Sequence, residues 1–223
     1  MEQKVYLIAM SKPSAVARDC YTAQDLVAYT ARVSNPANQS NMETADKLVK
    51  YLIKHARWSP FEMVHLTMGI DTTRDISRQI LRHRSFSFQE FSQRYAESEN
   101  FTTKREMRTQ DLKNRQNSVE TDDPMAQIEF ERAQSRILFY AQKEYKAALK
   151  KGIAKEQARA LLPEGLTGTT LYMAGSLRSW IHYIDLRAAN GTQKEHMDIA
   201  LQAKDIVEFH FPMLKEYWNE KNA

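Results

Sequence analysis

Apolar residues in this chain recur mostly at helical spacing, and only a few short stretches alternate or run together as strands do. "VYLIAM" (5–10) predicts a short buried strand, and Leu26, Val27 and Ala31 predict a helix over 22–32 with Thr22 as its N-cap. After the polar break "SNPANQSN" (34–41), Leu48, Val49, Leu52 and Ile53 share one side of a helix over about 42–55. Pro60 restricts Ser59 to extended geometry, so "WSPF" (58–61) predicts a turn. Met63, His65 and Thr67 alternate with Val64, Leu66 and Met68, the pattern of a strand over 62–70.

Residues 72–83 predict a helix and "SQRYAE" (92–97) a short extended segment. Apolar periodicity fades from 99 to 122, which predicts a loop or insertion. Asp123 as N-cap and Pro124 at the first helical position open a helix to about 150, with Leu138, Ala141, Tyr145 and Ala148 at its spacing and Gly152 ending it. A helix over 154–162 stops at Pro163, and an amphipathic run covers 170–187. "TQKE" (192–195) reads as a capping box before Ile199, Ala203, Ile206 and Val207, with Pro212 as the stop. The sum is one α+β domain over 1–223, with more helix than strand.

The chain has 223 residues, enough for one good core or two small domains. Nine Phe, ten Tyr and three Trp argue against disorder, and no run is long and apolar enough for a membrane span. One cysteine, Cys20, excludes an intramolecular disulfide and an all-cysteine metal cage, which points to a reducing, cytoplasmic setting. The six histidines show no HxxxH-type pair, so metal catalysis is not expected. Thirty-two basic against 28 acidic residues leave +4, an excess that suits an anionic small molecule as well as nucleic acid.

That excess gathers in "RQILRHRSFSFQEFSQRYAE" (78–97). Arg74, Arg78 and Arg82 recur every four residues, with Asp71 and Asp75 near the first of them. Like charges at that spacing cost about 0.2–0.5 kcal/mol per pair on a helix. A solvated basic face is the plain reading. Arg without Lys, however, favours bidentate contacts to phosphate or carboxylate. Ser85, Ser87 and Ser92 add hydroxyl donors, and Phe86, Phe88 and Phe91 add flat apolar walls. This composition suits a phosphorylated molecule with aromatic rings. A single-stranded nucleic acid platform also interleaves Arg with Phe and Tyr, but Glu90, Glu97 and Glu99 interrupt the run.

"RHRSFSFQEFSQRY" (82–95) resembles the signature of the flavin-dependent thymidylate synthases, the ThyX family: R-H-R-x-x-S followed by N-E-x-S-x-R-Y. Arg82, His83, Arg84, Ser87, Glu90, Ser92, Arg94 and Tyr95 fall in register, with Gln89 where Asn is usual. "ARVS" (31–34), "WSPFE" (58–62), "EQARALLP" (156–163) and "RSWIHYIDLR" (178–187) follow in the family's order. The resemblance implies a helix-rich fold with a small, mainly antiparallel sheet and a homotetramer whose sites lie between subunits. It implies reductive methylation of dUMP to dTMP, with 5,10-methylenetetrahydrofolate as one-carbon donor and NADPH reducing FAD.

Residue by residue, the resemblance assigns Ser34, Ser59, Glu62, Arg82, His83 and Arg84 to FAD, with Arg178 and His182 near the flavin. His182 reads equally well as a core histidine. Gln79, Glu90, Ser92, Arg94, Arg159 and Arg187 are assigned to dUMP, Arg94 and Arg159 to its 5′-phosphate. Arg187 is expected against the uracil, where a fixed cation stabilises charge developing on the ring. Arg187 and Ser92 are therefore the expected catalytic residues. Cys20, far in sequence from all of these, reads as a structural thiol rather than a nucleophile. Arg57, Met63, Ser176 and Gly191 depart from the family's pattern around the expected flavin and folate contacts.

Overall fold

The computed structural model describes residues 2–102 and 105–221. In chain order the elements are β1 (Lys4–Met10), α1 (Ala23–Ala31), α2 (Ala45–Lys54), β2 (His65–Thr73), α3 (Arg74–Ile80), β3 (Ser87–Glu90), β4 (Arg108–Gln110) and β5 (Ser118–Glu120). There follow α4 (Pro124–Lys150), α5 (Lys155–Ala158), β6 (Gly168–Ser176), α6 (Leu177–Arg187), α7 (Lys194–His210) and α8 (Pro212–Lys221). The fold is helix-rich with a small antiparallel sheet in the order β1-β2-β6-β3.

Local signals placed several ends correctly. The Thr22 hydroxyl accepts from Asp25 N–H while the Asp25 carboxylate accepts from Thr22 N–H, a complete capping box. Asp123 accepts from the backbone N–H of Met125 and Ala126. Gly152 follows α4 at φ +81°, a left-handed conformation that a side chain would resist.

The run 170–187 divides into two elements, β6 and α6. Thr169, Leu171, Met173 and Gly175 alternate inward along β6, whose neighbours are β2 on one side and β3 on the other. Leu171 and Met173 join Leu66, Met68 and Ile70 of β2 in the core, while Trp180 and Tyr183 of α6 are fully buried beside them. The expected helix over 72–83 is shorter. Thr72 and Thr73 stay in β2 because they pair with Thr169 and Gly168, and helix begins only at Arg74.

Other expectations change for similar reasons. The expected strand over 62–70 is shifted to 65–73, and residues 59–63 form a 3-10 turn instead. Residues 92–97 are turned, with Tyr95 and Ala96 N–H donating to the Ser92 carbonyl; the extended segment is β3, just before them. The stretch 99–122 carries the β4–β5 hairpin and an isolated bridge from Phe101 to Thr167. The helix over 154–162 holds only to Ala158 before a 3-10 turn over Arg159–Leu161. Thr192 does not cap α7: Gln193 stands at the N-cap without a side-chain cap bond, and Glu195 turns to arginines instead. Among the described residues no helix is long and apolar enough to cross a membrane.

Candidate active site

The arginine-rich turn is held by its apolar residues. Ile76 and Ile80 anchor the inner side of α3, and Phe86 is buried against Trp180 with ring centroids 5.0 Å apart. This seats residues 81–86 on α6 while leaving Arg82 and Arg84 exposed. Among the described residues neither forms an ion pair. Ser179 of α6 donates to the Ser85 carbonyl at 3.3 Å, a further tie to the turn.

The expected arginine stripe does not exist as one face. Arg74 is buried and turns inward, with Nη1 3.6 Å from the Glu90 carboxylate and 3.4 Å from the Phe91 carbonyl. Ser77 and Thr169 donate to the same Glu90 oxygen at 2.8 and 3.0 Å. A half-buried carboxylate thereby collects one cation and two hydroxyls. Arg78 is exposed and pairs with Glu164 at 2.8 Å, and Arg82 lies beyond the helix end.

His83 and Arg187 meet, although 104 positions separate them. Arg187, the last residue of α6, donates from Nε to His83 Nε2 at 3.0 Å. Burial and then the Arg187 charge lower the His83 pKa to about 4. The ring is therefore neutral near pH 7 and offers hydrogen bonding rather than charge. The cations of this turn are Arg82 and Arg84. Tyr183 and His196 complete the cluster: the His83 ring meets the Tyr183 ring edge-on at 5.0 Å, and His196 Nε2 lies 3.1 Å from the Tyr183 hydroxyl. His196 is fully buried, and burial, followed by Arg187 and His83, brings its pKa down to about 3.

Gln79 joins the same cluster, its Oε1 3.4 Å from His196 Nδ1 and its Nε2 2.8 Å from Gln193 Oε1. Sequence reasoning had passed over Tyr183, His196, Gln193 and Glu195. The signal was present in "TQKE", where Gln193 and Glu195 turn inward in place of the expected cap.

Two clefts lie where the 92–95 turn meets Glu156. One, of about 410 Å³, is lined by Arg74, Arg78, Gln93, Glu156, Arg159 and Glu164 among others. The other, of about 360 Å³, is lined by Ser92, Arg94, Tyr95, Ala154, Lys155 and Glu156. Glu156 lies in both: its carboxylate accepts from Arg94 Nε at 2.9 Å and its carbonyl from Arg159 Nε at 3.2 Å. The phosphate-assigned arginines are thus brought to one acidic residue, with Lys155 and Arg78 as further cations that sequence reasoning left unassigned.

Glu62 and Arg178 form an ion pair at 3.0 Å, and the buried Ser176 donates to Glu62 while its oxygen accepts from Ser179 N–H to cap α6. Both α1 and α6 pack on the 59–63 turn that carries Ser59 and Glu62. Ser34 and Ser59 are exposed, on the turn after α1 and on the 59–63 turn, and His182 is exposed on α6, so it is not a core histidine. Cys20 is half-buried, with its sulfur 4.0 Å from the Asp25 carbonyl and from the Met42 sulfur, and burial followed by Asp25 raises its pKa. A thiol so placed is a poor nucleophile.

The chain matches the family model described as thymidylate synthase complementing protein over residues 15–213. It is 49% identical over 208 residues to a probable flavin-dependent thymidylate synthase of Paramecium bursaria Chlorella virus 1, covering 93% of this chain and 95% of that one. The flavin-dependent thymidylate synthase of Synechocystis is 48% identical over 209 residues, with the same coverage. A UMP/dUMP methylase, PolB from Streptomyces cacaoi, solved with 5-Br dUMP, superposes with a TM-score of 0.80 at 26% identity, over 98% of this chain and 95% of that one.

Proposed function

Since the chain belongs to the thymidylate synthase complementing protein family, the flavin-dependent thymidylate synthases, we propose that its arginine turn and the end of α6 form the site where dUMP is reductively methylated to dTMP. The observation that carries this reading is the Arg187–His83 hydrogen bond, which joins the family signature to the expected base-facing arginine.

In this reading Arg82 and Arg84 hold the phosphates of FAD. Their exposure, with no ion pair among the described residues, suits a pyrophosphate, and bidentate guanidinium contacts fit its oxygens. His83 contributes at neutral charge, and Glu62, Arg178, His182, Ser34 and Ser59 extend the flavin side. Held by these residues, FAD would supply the reducing hydride drawn from NADPH, with 5,10-methylenetetrahydrofolate as carbon donor.

The chain's own residues position the nucleotide. Arg94 and Arg159 release Glu156 in part to take the 5′-phosphate, and Ser92, Glu90 and Gln79 are the further residues assigned to the nucleotide. His83 holds the Arg187 guanidinium by its Nε and leaves the two terminal nitrogens to face the base. A cation fixed there stabilises negative charge on the uracil ring more than it stabilises the resting substrate, and so lowers the barrier.

Exposed apolar side chains on α4 support the multisubunit part of the reading. Ile128 and Phe139 are exposed on one side of α4 and Phe130 and Ile137 on the opposite side, with Tyr140 exposed between them. The helix thus offers apolar side chains to more than one further copy in a homotetramer. The single cysteine agrees with a reducing, cytoplasmic setting.

The absorption spectrum of the purified protein tests the whole. Flavin bands that bleach with NADPH and recover on adding methylenetetrahydrofolate plus dUMP, with tritium release from 5-labelled dUMP, are the expected result. A colourless protein overturns it, and a yellow one without product reduces it to nucleotide binding.

A further inference from the structure

We infer that Glu195 and His196 are positioning residues that set the Gln79 amide as a hydrogen-bond donor toward the nucleotide. The inference rests on the dUMP-binding reading of Gln79 proposed above, and the polarity follows from one end of a chain of contacts.

Glu195 is that end. Its carboxylate receives Arg108 at 2.6 Å and Arg105 at 3.5 Å. Burial alone would raise its pKa, but the Arg108 hydrogen bond, its own backbone N–H, Gln193 and the Arg105 charge together hold it below the ordinary carboxylate value. An ionised carboxylate only accepts. Gln193 must therefore aim its Nε2 at Glu195, which it does at 2.9 Å, and this turns Gln193 Oε1 toward Gln79.

An amide oxygen also only accepts, so Gln79 meets it with Nε2 at 2.8 Å. Gln79 Oε1 then faces His196 Nδ1, which must carry the imidazole proton. The remaining nitrogen, His196 Nε2, accepts from the Tyr183 hydroxyl at 3.1 Å. Tyr183 and His196 are almost wholly out of solvent, so no water competes for these roles. Every link has one permitted direction, and reversing any of them would set two donors or two acceptors face to face.

Gln79 is left with its second Nε2 hydrogen. Phosphate oxygens and uracil carbonyls are all acceptors, so a donor-set amide suits dUMP. Arg105 extends the support to α3 itself, since it also binds Asp75 at 2.7 Å, five residues from the helix end.

Side-chain ¹⁵N NMR reads the direction without any ligand. His196, recognised by its contacts to the Tyr183 ring 5.7 Å away, is expected as the neutral Nδ1–H tautomer. In Glu195→Gln the replacement can donate as well as accept, so the chain can invert; mixed tautomers and dUMP affinity weakened about tenfold are expected. Flavin content and melting temperature serve as the comparison, because a merely structural role would move those and leave the tautomer of the folded protein alone. An Nε2–H tautomer in the unaltered protein overturns the relay, as does a folded Glu195→Gln with unchanged tautomer and dUMP affinity. Unaltered protein that shows the Nδ1–H tautomer but no dUMP binding overturns the nucleotide reading of Gln79 and the positioning role with it, leaving the relay as a feature of the fold.

Discussion

Arg187 and His83 share a 3.0 Å hydrogen bond in which the guanidinium donates and the imidazole accepts. The arginine is thereby held at one nitrogen by a neutral group that adds no competing negative charge. Any anion or developing anion nearby meets an unquenched cation.

Arg187→Ala should lower turnover about 100- to 1000-fold, the range seen on removing one preorganised electrostatic group. Flavin content should stay within about twofold, because the FAD phosphates are assigned to Arg82 and Arg84 and not to Arg187. Single-turnover kinetics with dUMP, read beside the flavin spectrum, separate the two. Equal turnover would remove Arg187 from the chemistry.

Stability should be greatest above about pH 6.5 and decline below it. His196 has its ordinary value of 6.5 when unfolded and about 3 in the fold, so in between the unfolded chain binds the extra proton. Lowering the pH from 6.5 to 5 should remove about 1–2 kcal/mol through this residue alone. His83, depressed to about 4, acts in the same direction. Urea unfolding across this window checks the slope, which should flatten in His196→Phe.

Arg74→Met should destabilise by about 3 kcal/mol or more. Among the described residues it strips the only cation from a largely buried carboxylate and leaves it the Ser77 and Thr169 hydroxyls. The double variant with Glu90→Gln should recover much of the loss, measured as a rise in the urea midpoint.

Ser176→Ala should cost about 1 kcal/mol, the usual value of an N-cap, seen as a melting temperature a few degrees lower. It also frees one Glu62 oxygen, leaving that carboxylate to Arg178. FAD affinity, measured by titrating the apoprotein, should change in the same variant if this trio contacts the flavin.

Gly175→Ala should disturb the arginine turn from behind. A Cβ there would fall 2.5 Å from the Phe86 ring, which seats the turn on Trp180. Overpacking of this kind costs about 1–3 kcal/mol. Purified flavin content should fall along with stability.

The chain's own order of residues determined much of this protein. Helices α1 and α4 were legible from their caps and apolar stripes, and α2 and α7 from their stripes alone, because these signals are local, set by residues three or four apart. The signature of 82–95 was legible because its types and gaps are contiguous. Tertiary structure alone decided the rest. Residues 168–176 become a strand because β2 and β3, distant in sequence, supply its backbone partners. Arg74 leaves the basic stripe because Glu90 waits beneath it, and His83 loses its charge because the fold buries its ring and α6 then delivers Arg187 to it. Periodicity reports which side of an element is apolar, but the partner that sets a side chain's charge or direction comes from elsewhere in the chain. Thus the arginine patch could be read as an anion site from sequence, while its division into paired, buried and free cations awaited the fold.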